Sequence, residues 1–307
     1  MTITIFRSTD YSAPALTGQV GGLISVLDGC LANGYGVTPS LGWSKAYSTL
    51  NNAAYRQPLG TNQFYLGIDD TNAQNSRLRL YEVCMSAGVA VANGYGATPT
   101  DSQVSGGLYA YKSTTADATA RPWVLFTNGK IIYLFWQYSG LTTTLQGLYF
   151  GDFTSYKYGD AYNTLLVSNV AASAIDASIR CGLVSSTFAT TDAGWCCPRA
   201  YHQLGGAVSL SRCTDTFRSF NASQLGSAGP IFPEPISGGL NVAPVWIGEG
   251  NNGVRGHLPG LWAPMHSRPF TNGDTCSGTG NLVGKTFEAV NVMNAGQVLI
   301  ETSDTWS

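Results

Sequence analysis

Charge is what this chain has least of. Asp, Glu, Lys and Arg make up 11% of its 307 residues, where about a quarter is usual for a globular protein. Its 16 basic residues nearly balance 18 acidic ones, and no run of Lys and Arg occurs. Nucleic acid needs a concentrated cationic footprint, so it is excluded as a partner. Long apolar runs are also missing: no stretch approaches the about 18 residues that a membrane-spanning helix requires, so no membrane partner is expected. The N-terminal "MTITIFRSTD" alternates Thr with Ile and lacks a basic-then-apolar leader. The expectation is a chain made and kept in the cytosol, or one that leaves by lysis, and the sequon at Asn221 then carries no meaning.

Catalytic signatures are equally scarce. The chain has 3 histidines, His202, His257 and His266, none in a His-Glu-x-x-His pattern, and no Gly-x-Ser-x-Gly elbow supplies a nucleophile. "SGTGNLVGKTF" imitates a phosphate loop, but Gly284-Lys285-Thr286 would need glycine where Thr279 stands, and "FEAVNV" after it reads as strand and not as helix. "DDTNAQN", beginning at Asp69, lacks the glycine and the closing acid of a calcium loop and reads as a turn. Of 7 cysteines, Cys181, Cys196, Cys197 and Cys213 share one segment. None has the two-residue spacing of a zinc knuckle, although His202 is near enough to complete a three-cysteine set. An odd count without a leader favours free buried thiols, with pairing among those four left open. Cys30 on a helix stripe and Cys84 in a strand read as core. No catalytic, cofactor-binding or metal-binding residue is assigned on this basis, and no cofactor is expected.

What the chain does have is aromatic side chains, 7 Trp, 16 Tyr and 12 Phe, in a background of neutral polar residues and 37 glycines. Interface cores are depleted in Lys, Glu and Asp and enriched in aromatics, so a large part of the surface reads as meant to touch protein. A soluble β protein with few charges is the bland alternative.

Patterning gives the fold class: mainly β, antiparallel and sandwich- or barrel-like, with one N-terminal amphipathic helix and long Gly/Pro-rich loops. Val20, Leu23, Ile24, Leu27 and Leu31 form one apolar stripe, which predicts a helix from Thr17, its N-cap, to Leu31, closed by left-handed Asn33 and Gly34. "ANGYGVTPS" from Ala32 and "ANGYGATPT" from Ala92 are near-copies. The first follows this helix and the second follows the alternating strand "RLRLYEVCM", so the repeat reads as one turn chemistry used twice and not as a duplicated domain. Trp123 to Thr127 and Lys130 to Tyr138 predict a hairpin turning at Asn128-Gly129 in type I′ geometry, its second strand central because it is apolar on both faces. Strands are predicted near Leu148 to Phe150, Tyr162 to Ser168, and in "KTFEAVNVM" and "QVLIETSD". The patternless Lys112 to Ala120 reads as a linker or exposed loop between a domain at 1–112 and a second at 121–307. Within the second, the Gly/Pro-rich segment 225–270 is expected to be irregular, since proline cannot donate to a sheet ladder.

A resemblance adds to this reading. "LTGQVGGLISVLDGCLANGYG", "GWSKAYSTLNNAAYRQ", "QFYLGIDDT", "RLRLYEVCM", "QVSGGLYAYKS", "ARPWVLFTNGKIIYLF", "FGDFTSYKYGDAY", "GHLPGLWAPMHSRP" and "FEAVNV" with "GQVLIETSDTW" follow one another along nearly the whole chain. In this order they resemble a family of uncharacterised virion structural proteins of tailed bacteriophages. The resemblance implies a particle component and carries over no catalytic residue. The cysteine cluster and the second nonapeptide are not features of that family.

The expected function is thus a non-enzymatic structural subunit of a phage particle, in several symmetric copies at the neck, tail, baseplate or capsid surface. Its partners are then copies of itself and other virion proteins, and its location is the virion. A receptor- or carbohydrate-binding tail tip protein is the first rival, with a host surface glycan as partner. A particle-associated polysaccharide hydrolase is the second, and it needs two of Asp69, Asp152, Asp160 and Glu249 placed about 5 to 10 Å apart in a cleft. Trp246, Trp262, His257 and His266, in the Gly/Pro-rich segment, are the candidate interaction surface.

Overall fold

A computed structural model describes residues 2–58, 62–84, 94–138, 145–169, 193–198, 213–214, 239–249, 253–264, 270–292, 296–303 and 306. Among these residues the strands are β1 (Thr4–Arg7), β2 (Ser44–Thr49), β3 (Asn52–Arg56), β4 (Tyr65–Asp69), β5 (Asn75–Tyr81), β6 (Val83–Cys84), β7 (Gly94–Tyr95), β8 (Leu108–Tyr111), β9 (Trp123–Thr127), β10 (Ile132–Trp136), β11 (Gln146–Asp152), β12 (Thr154–Ser155), β13 (Thr164–Asn169), β14 (Ala193–Cys196), β15 (Cys213–Thr214), β16 (Val242–Glu249), β17 (Val254–Pro264), β18 (Thr275–Ser277), β19 (Thr286–Val292) and β20 (Gly296–Glu301). The larger sheet runs β1-β9-β10-β11-β13-β8-β5-β4-β3-β2, with β14 beside β13. The other large sheet runs β15-β16-β17-β20-β19-β18, with β12 beside β17, and β6 and β7 form a small pair. The ladders are antiparallel. The chain is therefore mainly antiparallel β, with one short helix among the described residues. Residues before and after the 112–121 segment share the larger sheet, through β8 beside β13 and β1 beside β9.

Side-chain alternation along the strands divides the interior. Trp123 and Leu125 of β9 and Ile132, Leu134 and Trp136 of β10 enter one core. Val124, Phe126, Tyr133 and Phe135, between them in sequence, enter a second core that includes Val245, Ile247, Leu261, Val298 and Ile300 of the other sheet. That is why the hairpin is apolar on both faces, and β10 is indeed central, between β9 and β11. Its turn differs from the expected one. Thr127 pairs with Ile132, so residues 128–131 form the loop. Gly129 has positive φ and Asn128 does not. Asn128 Oδ1 instead accepts the N–H groups of Lys130 and Ile131, an Asx turn in place of type I′.

The helix covers the first core. It spans Gly22–Leu27 (α1) and continues as wider π-helical turns over Asp28–Asn33, so it starts five residues later than Thr17 predicts. Leu23, Ile24, Leu27 and Leu31 of the stripe are buried in the core with Val26 and Cys30, while Val20 is 46% exposed ahead of the helix. Thr17 accepts only the N–H of Gln19. The capping oxygen comes from elsewhere: Asp70 Oδ2 accepts the N–H groups of Leu23 at 2.8 Å and Ile24 at 3.1 Å. Gly34 has the predicted positive φ, but Asn33 remains in the helical turn. The near-copies share a left-handed glycine, Gly36 and Gly96, and then differ. Thr38 closes back on Tyr35, whereas Thr98 pairs with Leu80 of β5.

Two further expectations meet the structure at Lys112 and in the Gly/Pro-rich segment. Thr114 to Ala120 is largely exposed, as a loop should be, yet Lys112 and Ser113 are fully buried. Lys112 forms an ion pair with Asp70, both side chains wholly inaccessible, and also donates to the carbonyls of Gln19 and Asn72. Within 225–270, where irregular structure is expected, β16 and β17 are instead long paired strands. The prolines are accommodated where the ladder breaks: register shifts between Pro244 and Trp246, the ladder skips the stretch holding Pro259, and Pro264 ends its strand. Gly260 turns this bulge with positive φ, and a Cβ there would collide with the Trp306 ring.

Removing Lys112 would leave the Asp70 carboxylate buried without its counter-charge. Lys112→Ala is expected to cost about 3–5 kcal/mol of unfolding free energy in urea denaturation. The double change Asp70→Asn with Lys112→Met should recover much of that loss, since no charge then stays buried and unpaired.

Candidate interaction surface

Inward residues of β16, Val245 and Ile247, lie in the second core, so Trp246 between them faces outward. Trp246 and His257 are direct cross-strand partners, and His257 is also opposite Thr154 of β12. Residues opposite one another in an antiparallel pair share a face. The sheet thus brings Trp246 and His257 together on its outer face, where Tyr156 joins them: its hydroxyl is 3.1 Å from His257 Nδ1, and the two rings are tilted at 5.6 Å between centroids. Trp262 is elsewhere on the outer face. It is edge-on to Phe287 at 6.1 Å and part of a local cluster with Phe287, Ala289 and Leu299. That is the packing role and not a free stacking platform. His266 lies outside the described residues.

The residues that the sequence reading missed are those of the loop between β12 and β13. Tyr156 is 56% exposed, and Tyr158 stands fully in solvent. Large aromatic rings normally bury most of their area, so two that do not, on one short loop, mark a surface. The signal was present in "SYKYGD", where both tyrosines flank a lysine before a Gly turn and no apolar alternation offers them a core. Gly159 supplies that turn with a φ of 65°.

The exposed tip has a rigid base. Phe153 N–H donates to the Asn163 carbonyl at 2.8 Å, and the Asn163 side-chain amide returns a hydrogen bond to the Phe153 carbonyl at 2.7 Å. Beneath it Arg255, 1% exposed, grips Asp160 through Nε and Nη2, both at 2.9 Å, and its carbonyl accepts the Tyr156 N–H. Burial alone would raise the Asp160 carboxyl. The Arg255 guanidinium, the Ser155 hydroxyl at 2.7 Å and the Tyr162 N–H outweigh it and hold the carboxyl below its ordinary value. A bidentate pair of this kind fixes orientation as well as charge, so the base of the tyrosine loop is held in one arrangement.

The other sequence-level candidates fall apart geometrically. Asp160 is taken by Arg255, Asp152 accepts the Thr164 hydroxyl at 2.5 Å, and Asp69 is on β4, separated from the β11 of Asp152 by β13, β8 and β5 in the larger sheet. The side chain of Glu249 lies outside the described residues. Lys285 of the would-be phosphate loop donates to Glu301 at 2.7 Å, and a strand follows it. Among the described residues no group of three His, Cys, Asp or Glu is placed to hold a metal. Cys196 and Cys197 are both free, one in each core, and so face opposite sides of the chain at the end of β14. Cys181 and His202 lie outside the described residues. No protein-family model matches the chain, and a search of curated proteins finds no match.

The depressed Asp160 carboxyl gives the clamp a pH window. Its stabilisation is complete above the ordinary carboxylate value of about 3.9 and is lost as pH falls through the lower folded-state value. Cleavage by a non-specific protease active in acid should accordingly begin within the Tyr156–Tyr158 loop as pH is lowered. In Asp160→Asn a non-specific protease active at neutral pH should already cut this loop at neutral pH.

Proposed function

We propose that the chain is a non-enzymatic structural subunit of a tailed bacteriophage particle, and that the Tyr156–Tyr158 loop belongs to the surface by which it meets its neighbours. In this reading the two large sheets form a sandwich around their shared core, and the subunit is held in several symmetric copies within the virion. The observation that carries it is an aromatic loop exposed at its tip and locked at its base, on a chain with few charges. Rigid, solvent-facing aromatics lose little conformational entropy on docking, which suits them to anchor an interface. The likeness of the chain's segments to virion structural proteins supports the same reading.

A second reading rests on the same residues. Tyr156, His257 and Trp246 form an outward aromatic group that could stack on a sugar ring, as a receptor- or carbohydrate-binding tail tip protein would require. In that case the loop meets a glycan instead of a subunit.

Light scattering of the purified chain is expected to give a defined homo-oligomer, or else purified particles should contain the chain. Tyr156→Ser with Tyr158→Ser should shift the oligomer toward monomer, or abolish incorporation into particles, at an unchanged melting temperature. A stable monomer that is also absent from particles would overturn the structural reading. Binding of neutral oligosaccharide that is lost in the same double variant would favour the tail-tip reading.

A further inference from the structure

The outer face of the larger sheet carries a separate cleft. Its origin is register: Asn52 pairs with Asp69, Asp69 with Arg77, and Arg77 with Tyr109, so these side chains form one row across β3, β4, β5 and β8. The neighbouring row pairs Gly67 with Arg79. Leu66, Ile68, Leu78 and Leu80, which alternate with them, are in the first core. Because Gly67 has no side chain, the Tyr81 ring lies across it, and a Cβ there would collide with that ring. Asn52, Gly67, Asp69, Arg77, Arg79 and Tyr81, with Asp101, line an open cleft of 230 Å³. That is below the about 300–1,000 Å³ of pockets that bury drug-sized ligands, and it suits a single small moiety.

The polar groups in this cleft are ordered, and several have no partner within the described chain. The Arg77 guanidinium lies over the Tyr109 ring at 3.4 Å and donates through Nη1 to the Gly107 carbonyl at 3.0 Å. Stacking and that one bond fix the plane, while Nε and Nη2 have no partner in the described chain. Arg79, by contrast, is paired with Asp101. Asp69 Oδ1 accepts from Thr71, at 3.1 Å from its N–H and 2.6 Å from its hydroxyl, while Oδ2 accepts nothing from the described chain. The Asn52 side-chain amide is likewise without a partner among the described residues. One planar cation, one carboxylate oxygen and one amide therefore converge without internal partners on a single cleft.

We propose that this cleft binds an acidic monosaccharide unit, its carboxylate on Arg77 and its ring hydroxyls on Asp69 and Asn52. A fixed guanidinium edge matches a carboxylate bidentately. The Asp69 oxygen is an acceptor, so it calls for a hydroxyl donor on the same ligand. Acetate supplies the anion without the hydroxyls, and a neutral hexose supplies the hydroxyls without the anion. The two arginines and two aspartates of the cleft balance, so a monoanion is accommodated more readily than a phosphate dianion. Tyr81, 4% exposed, closes the cleft beside Gly67. This inference rests on the larger sheet and the cleft it forms, and it stands or falls independently of the particle reading.

Titration calorimetry of the full chain with D-glucuronate, D-glucose, acetate and inorganic phosphate tests it. Glucuronate is expected to bind at least about tenfold more tightly than each of the other three. Arg77→Gln should weaken glucuronate by about tenfold or more, with glucose unchanged. Asn52→Ala leaves the guanidinium in place and should weaken glucuronate and glucose alike, so the test survives if Arg77→Gln folds poorly. Equal binding of glucuronate and acetate, tighter binding of phosphate, or an unchanged glucuronate affinity in both variants would each overturn the proposal.

Discussion

The buried pair of Asp70 and Lys112 is the joint on which the N-terminal half of the molecule depends. Asp70 follows the last residue of β4, Lys112 follows the last residue of β8, and the Asp70 carboxylate caps the first turn of α1. The Ser76 hydroxyl adds a further bond to Asp70 at 2.6 Å, and Lys112 reaches the carbonyls of Gln19 and Asn72. Burial drives the carboxyl up and the ammonium down, each opposed by the other's charge and hydrogen bonds. Neither group can be buried alone, so helix start, strand ends and the turn between β4 and β5 must form together. A helix of six α-helical residues is too short to persist by itself; this anchor and the stripe beneath it hold it in place.

Much of this could be read from the sequence, and what could not has a physical reason. Local patterns succeeded where local physics decides. Alternation found β5 with Arg77 and Arg79 on one side and Leu78 and Leu80 on the other, and apolarity on both faces marked β10 as central. The stripe of Leu23, Ile24, Leu27 and Leu31 found the covering helix. What failed were readings that needed a partner distant in sequence. Asp69-Asp70 reads correctly as a turn, but nothing nearby shows that Asp70 caps a helix 46 residues earlier or pairs with a lysine 42 residues later. Thr17, a good local N-cap, lost to that distant carboxylate. The same holds for 242–264, where the prolines argued locally against strands and the tertiary ladder absorbed them at its bulge and its end.

The candidate surface was legible in part. Trp246 and His257 were singled out for their segment, and register explains why they meet. Trp262 shared the segment but faces a packed cluster, a distinction that only strand pairing makes. Tyr156 and Tyr158 were overlooked because loop aromatics carry no periodicity. The cleft at Arg77 shows the converse: every residue of its row was visible on an alternating strand or a turn, yet only the pairing of β3, β4, β5 and β8 places them side by side.

Scarcity of charge takes on a sharper meaning once the ion pairs are placed. Lys112 with Asp70 is fully buried, and the side chains of Arg255 with Asp160, and of Glu288 and Glu301, held by Arg7 and Lys285, are nearly so. Arg7 belongs to β1 of one sheet and Glu288 to β19 of the other, so that pair ties the two sheets together at distances of 2.5 and 2.9 Å. Buried pairs are a poor source of net stability, because desolvation offsets most of their attraction, but a mispaired arrangement would strand a charge and is heavily disfavoured. The chain thus places a good part of its small charge complement where it selects one arrangement of strands and loops. The surface is left with still fewer charges than the composition suggests. A surface with few charges opposes self-association only weakly, so contacts of the kind proposed for the tyrosine loop would need little electrostatic work to form.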